Sequence, residues 1–150
     1  MRLGREAIER ILDTWPVARL ATLAEDGRAE LVPVVFARSD GALWSPLDGK
    51  PKRGTELSRV RNVRRDTRVC LLLDHWDDDW DKLWWLRVDG RAQLVAAGGA
   101  AAERAAAALR AKYPRYASGA TPLFAGEPRL VRIEVERQLG WAAGPRAAIC

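Results

Sequence analysis

Residues 17–47 read VARLATLAEDGRAELVPVVFARSDGALWSPL, and the punctuation of this stretch decides the fold. The runs VARLATLA, RAELVPVVFA and ALWSPL are short and rich in β-forming residues. They are separated by EDG and SDG, each with a glycine placed to supply a positive φ in a tight hairpin. Short strands joined by such turns predict an antiparallel meander.

Upstream, Ala7, Ile8, Ile11 and Leu12 fall at helical spacing and Pro16 stops the turn, so Glu6–Trp15 reads as a short amphipathic helix. Downstream, GTELSRVRNVRRD (54–66) returns to helical spacing, with Leu57, Val60 and Val63 on one side and arginines on the others. Thr55 suits the N-cap of this helix, with Ser58 as its competitor. RVCLLLD (68–74) reads as a buried strand and LWWLRVDGRAQLV (83–95) as a long one. GGAAAERAAAALRAKY (98–113) is a helix by propensity, its alanines suited to close packing on a sheet or a second subunit. YPRYASGATPLFAGEP (113–128) reads as a loop. RLVRIEVERQLGW (129–141) is a closing strand with Leu130, Arg132, Glu134 and Glu136 on one side and Val131, Ile133 and Val135 on the other. About six strands with helices between them predict a mainly β, α+β fold: an antiparallel barrel or sheet, in one domain spanning 1–150.

Composition narrows the function. The 150 residues carry a net charge of +5, yet Lys50 to Arg68 alone holds eight basic and two acidic residues. The basic character is therefore a local feature. Lys50, Lys52 and Arg53 lie in a loop with Pro51 and two glycines, at the end of a strand and before a helix. Cations held there suit a compact phosphate, with Lys as a point charge and Arg as a bidentate donor. Tyr, Trp and Phe are absent from Lys50 to Val69, which argues against a nucleic-acid binder that stacks bases between its cations.

Other chemistries lack their residues. There is no G-x-G-x-x-G, and Gly49-Lys50 is followed by Pro51 rather than Ser or Thr, so no P-loop is read. One histidine, His75, and two cysteines, Cys70 and Cys150, do not assemble a zinc set, and Cys70 within VCLLL reads as a buried, unreactive thiol. His75 has no serine in a nucleophile-elbow sequence to serve. Asp77, Asp79 and Asp81 have the alternate spacing of a calcium loop, but Lys82 and Val88 stand where an EF-hand needs Gly and Glu. The acidic cluster then reads as a solvated loop or as a patch that pairs with the arginines of a neighbouring subunit. No segment approaches the roughly 20 apolar residues of a membrane span, and MRLGREAIERILDTW lacks a signal-peptide core, so a cytoplasmic protein without membrane contact is expected. Adjacent Trp84 and Trp85 point to opposite faces of their strand, one toward the core and the other toward a cleft or an interface.

ARLATLAEDGRAELVPVVFARSDGALWSPLD, a basic loop and helix ending RNVRRDTRVCLLLD, and WWLRVDGRAQLV together resemble the pyridoxamine 5′-phosphate oxidase-like flavin and deazaflavin proteins. DGKPKR followed by DHWDDDWDKLWWLRVDG is similar to a subgroup considered to use the deazaflavin coenzyme F420. The resemblance covers roughly Val17 to Trp141 and implies a split β-barrel, a homodimer, and a cofactor groove between subunits. It implies that the cofactor phosphate meets the basic loop and the start of the next helix. Family oxidases carry an Arg-Lys pair seven residues before an Asn-Pro. Here Asp66-Thr67 replaces Asn-Pro, Arg59 falls at the Lys position and Ser58 at the Arg position, so Lys50, Lys52 or Arg53 would supply the missing cation. Pro33 and Val34 would lie near the reactive edge of the ring system, with Ser45 facing the same groove and Trp85 in the cofactor-binding set. Arg61, Arg64 or Arg65 would meet the oligoglutamate tail of F420. The implied activity is an F420-dependent oxidoreductase acting on a small organic substrate. FMN is the alternative cofactor, and a flavin- or haem-type carrier or sensor the alternative role. No catalytic side chain is expected, because hydride chemistry belongs to the cofactor.

Overall fold

A computed structural model describes residues 1–47, 56–124 and 126–145. Lys50, Lys52, Arg53 and Thr55 lie outside the described residues.

Seven strands form one antiparallel sheet. Helix α1 (Arg5–Thr14) precedes β1 (Ala18–Leu23), β2 (Ala29–Val34), β3 (Ala37–Ser39) and β4 (Ala42–Pro46). Helix α2 (Ser58–Arg65), β5 (Arg68–His75) and β6 (Trp84–Ala96) follow, then α3 (Ala100–Lys112), α4 (Pro114–Ala117) and β7 (Arg129–Ala142). The order across the sheet is β2-β1-β5-β6-β7-β4-β3. Its first and last strands, β2 and β3, are consecutive in sequence and separated only by Val35 and Phe36. The sheet is therefore rolled so that its two edges meet at one bend, which is the split-barrel arrangement.

The bend corrects the expectation of one strand over RAELVPVVFA. Tyr113 fastens it: its hydroxyl accepts from Phe36 N at 3.0 Å and lies 2.9 Å from the carbonyl oxygens of Phe36 and Pro16. The two glycine turns form as expected. Gly27 has φ 84°, and Asp40 (51°) and Gly41 (72°) both adopt the left-handed conformation of a two-residue primed turn between Ser39 and Ala42.

Two apolar clusters hold the fold. Leu20, Phe36, Leu71, Leu73, Trp84, Leu86, Val88 and Ile133 fill the barrel with Ile8, Ile11 and Leu12 of α1 and Val60 and Val63 of α2. On the other side of β3, β4 and β7, Ala102, Ala105, Ala106 and Leu109 of α3 close over Trp44, Tyr116 and Leu130. The alanines thus serve helix-on-sheet packing, and β7 carries apolar residues on both faces at its start because each face meets a different cluster. Three expectations are corrected. The segment after α3 contains α4, with Pro114 at its first position, where a missing N–H costs nothing. Strand β5 is buried on one face only, since Leu72 is 40% exposed. Leu57, not Ser58, occupies the N-cap of α2, with no side-chain capping bond.

Where α2 meets β5, Asp66 holds the turn. Its carboxylate accepts from Arg68 N and from the Arg68 guanidinium, and those bonds hold its pKa down at about 2. Thr67 O accepts from Ala92 N at 2.8 Å. These contacts explain how Asp-Thr serves as the junction here. No helix among the described residues is long and apolar enough to cross a membrane.

Candidate functional site

The bend between β2 and β3 leaves a gap in the barrel wall. A pocket of about 160 Å³ opens there, lined by Val17, Pro33, Val34, Val35, Ser45, Pro46 and Arg59. Four of the residues singled out in the sequence, Pro33, Val34, Ser45 and Arg59, are brought together. Pro33 fits because β2 is an edge strand, where the missing N–H breaks no ladder. Ser45 is 3% exposed, and its hydroxyl donates to Val35 O at 2.7 Å. That bond pins the bend to β4 and so sets the width of the gap. Arg59 enters from the first turn of α2, whose start faces the same opening.

One side of this pocket is an apolar strip from Val17 and Pro33–Val35, and the other offers a serine and a guanidinium. Such a lining fits a flat ring carrying a phosphate: the strip covers the ring and Arg59 supplies paired donors to an anion. Leu47 and Glu56, which flank the segment containing Lys50, Lys52 and Arg53, both reach Arg129. Leu47 N donates to Arg129 O at 3.4 Å, and Arg129 Nη1 is 3.5 Å from Glu56 Oε1.

Trp85 stands apart from the other four. It lies on the outer face of β6, in register with Asp74 of β5 and Trp141 of β7, while its neighbour Trp84 is 2% exposed in the core. The opposite-faces reading of this pair is therefore correct. Val17, Val35 and Pro46 of the pocket were not legible beforehand, because their convergence depends on the bend.

A larger hollow, of about 570 Å³, lies between the β1–β2 turn and α2, lined by Glu25, Asp26, Arg28, Glu30, Arg61, Asn62 and Arg65 among others. Its three acidic and three basic residues balance, and several already hold one another. Asn62, 4% exposed, donates to Thr22 Oγ1 and Glu30 Oε2, both at 3.0 Å, and accepts from Arg65 at 3.1 Å. Arg65 also donates to Leu23 O at 2.7 Å, and Arg64 pairs with Glu56 at 2.5 Å. A hollow of balanced, internally bonded charges is a poorer anion site than the smaller pocket, despite its size. Asn62 was missed in the sequence because it sits in an arginine-rich run whose polarity masks one inward-facing polar position.

His75 is not near the pocket lining. Its ring centroid is 5.7 Å from that of Trp15 and 6.3 Å from that of Trp84, and its Nε2 is 3.7 Å from Asp77. In the acidic loop, Asp77 accepts from Asp79 N, Asp79 accepts from Asp81 N, and Lys82 pairs with both. Cys70 is half-buried on the outer face, and burial, with the Asp89 carboxylate beside it, pushes its thiol up to about 11. That is an inert thiol at neutral pH.

The sequence profile described as pyridoxamine 5′-phosphate oxidase matches residues 5–142. The chain belongs to this family. Solved structures of the same fold include the conserved hypothetical protein Rv2991 of Mycobacterium tuberculosis, at 24% identity and TM-score 0.74, covering 94% of this chain and 86% of that one. A FAD-binding protein of Mesorhizobium loti matches at 20% identity and TM-score 0.71, over 93% of each chain. The haem storage protein HutZ of Vibrio cholerae matches at 18% identity and TM-score 0.70, over 95% of each chain. No curated protein matches the chain. Within the pyridoxamine 5′-phosphate oxidase family the fold thus accompanies more than one cofactor, and this chain's own pocket must argue for its ligand.

Proposed function

We propose that this family member is a homodimeric oxidoreductase that holds a phosphorylated flavin-type cofactor, coenzyme F420 first and FMN as the alternative, in the gap between β2 and β4. The observation that carries the reading is the convergence of Pro33, Val34, Ser45 and Arg59 on one pocket. Val17 and the Pro33–Val35 backbone would lie along the ring. Arg59 would hold the phosphate, with Lys50, Lys52 and Arg53 as the remaining cationic candidates. Ser45 keeps the gap open by its bond to Val35. The cofactor, when bound, supplies hydride transfer to or from a small organic substrate, and the protein binds, orients and excludes water. Trp85 enters this reading through a second subunit, since its outer face is the surface a partner would cover.

The choice between F420 and FMN turns on the tail. Arg61, Arg64 and Arg65 are exposed but each already meets a protein acceptor, so they offer an oligoglutamate tail a weaker hold than their number suggests. The FAD-binding neighbour from Mesorhizobium loti keeps FMN in contention. A haem role is less well supported by the pocket, because Val17, Pro33, Val34, Val35, Ser45, Pro46 and Arg59 include no His, Cys, Met or Tyr to serve as an iron ligand. Titration of tryptophan fluorescence with F420 and, separately, with FMN tests the proposal. Saturable quenching by F420 alone supports the deazaflavin reading, saturation by FMN alone moves the protein to the flavin branch, and binding of neither overturns both.

A further inference from the structure

The outer face of the β2-β1-β5-β6 sheet is largely apolar and uncovered. Leu31 is 65%, Leu72 40% and Trp141 41% exposed, and Pro33, Ala21, Cys70 and Trp85 lie on the same face. Register fixes their heights. Pro33 pairs with Arg19, Arg19 with Leu72, and Leu72 with Arg87, so these four form one row across the sheet. Two residues further along each strand the row is Val35, Val17, Asp74 and Trp85. Trp85 therefore stands at the height of the pocket, separated from it by the width of β1 and β5.

Beyond Trp85, the loop joining β5 to β6 carries Trp76 and Trp80, 68% and 66% exposed, with ring centroids 6.3 Å apart and planes at 61°. Asp77, Asp78, Asp79 and Asp81 surround them. Helix α2, whose start borders the pocket, carries Arg59, Arg61, Arg64 and Arg65 and no acidic residue. Two exposed indoles ringed by carboxylates are thus the charge complement of the pocket's own rim.

Resting on the reading of that pocket as a cofactor groove, we infer that the Trp76–Trp80 loop of a second copy forms its outer wall and selects planar acceptors that carry no negative charge. A two-fold axis parallel to the strands, between β1 and β5, sets β6 of one copy over β2 of the other at equal height. Trp85 and Trp141 then meet Leu31 and Pro33, and the loop beyond Trp85 reaches the mouth of the partner's pocket. An axis across the strands would instead press these indoles onto the Arg137–Asp89 ion pair, 2.8 Å long, burying charge against apolar rings. Apolar contact and charge complementarity both favour the first arrangement. The indoles offer stacking faces to a conjugated ring, and the carboxylates around them disfavour an anion.

Two measurements without cofactor separate this inference from the cofactor reading. In a Cys70→Ser, Cys150→Ser background, protein carrying Trp85→Cys is mixed with protein carrying Pro33→Cys and oxidised mildly. Within one chain the positions are three strand spacings apart, about 14 Å, beyond the reach of a disulfide. The expected product is a mixed disulfide dimer. Sedimentation as a monomer, or Trp85→Cys linking only to itself, overturns the arrangement. In the second, 4-nitrobenzyl alcohol and 4-nitrobenzoate are titrated as tryptophan quenchers. The alcohol should bind about tenfold more tightly, with most of that preference lost in Asp78→Asn/Asp81→Asn and the saturable quenching lost in Trp76→Ala/Trp80→Ala. Equal affinities, or quenching untouched by the tryptophan substitutions, contradict the selection. Either result stands whether or not F420 or FMN binds.

Discussion

Arg59 is the described cation of the pocket, and its share of binding is the most local claim of the account. A charge-assisted hydrogen bond contributes about 1.5–3 kcal/mol. Arg59→Gln should therefore loosen cofactor binding roughly 10- to 100-fold in an equilibrium titration while leaving the denaturation midpoint in place. Asn62 makes the opposite case. Its side chain is 4% exposed and bonded to Thr22, Glu30 and Arg65, so Asn62→Ala leaves buried partners unsatisfied and should cost about 1–3 kcal/mol in urea unfolding. Lys112 gives a pH signature. Burial pulls its amine down from 10.5 to about 8, against the pull of Asp13, while Nζ lies 3.7 Å from the Phe36 ring centroid. Between about pH 8 and 10.5 the unfolded chain binds more protons at this residue than the native one, so its contribution makes stability rise with pH across that window. Lys112→Met should remove that rise, as read by melting temperature from pH 7.5 to 9.5; an identical pH profile in the variant would show that the amine is not buried as described.

At the scale of elements, the turns were the most legible part of the sequence. Two glycines in EDG and SDG specified hairpins because their positive φ has few other uses in a tight turn. The bend at Val35–Phe36 was not legible, because VPVVFA is β-forming throughout. What breaks it is remote: the Tyr113 hydroxyl and the Ser45 hydroxyl take up the backbone groups that a straight strand would have paired. The same bend creates the pocket, so Pro33, Val34, Ser45 and Arg59 could be named separately but their convergence could not be derived from spacing. Strand β6 carries a second such feature. The register between β6 and β7 shifts at Asp89/Gly90, where Gly90 packs directly on the Glu134 backbone with no room for a Cβ. Gly90→Ala should destabilise the barrel by about 1–3 kcal/mol in chemical denaturation, since the contact is backbone and cannot swing away.

For the molecule as a whole, the outer face of the sheet asks for a partner. A row of apolar side chains on β2, β1, β5 and β6 is continuous with the pocket mouth, which links assembly to ligand binding. Leu72→Arg would place a charge at the centre of that face on a side chain already 40% exposed. The expected result is a folded monomer by sedimentation equilibrium with cofactor affinity lowered; a dimer unchanged by this substitution would assign the interface to another surface. Charge was legible at this scale as well, since the basic surplus between Lys50 and Arg68 pointed to an anion before any geometry was known. What the sequence could not convey is that Arg61, Arg64 and Arg65 would find acceptors within the chain, leaving Arg59 at the pocket. The central claim is that the gap between β2 and β4 holds a phosphorylated flavin or deazaflavin. Isothermal calorimetry of the wild-type protein and Arg59→Gln with F420 and FMN tests it most directly. The account predicts one site per chain for one of the two cofactors, weakened roughly 10- to 100-fold by the substitution. Binding of neither, or binding indifferent to Arg59, would contradict it.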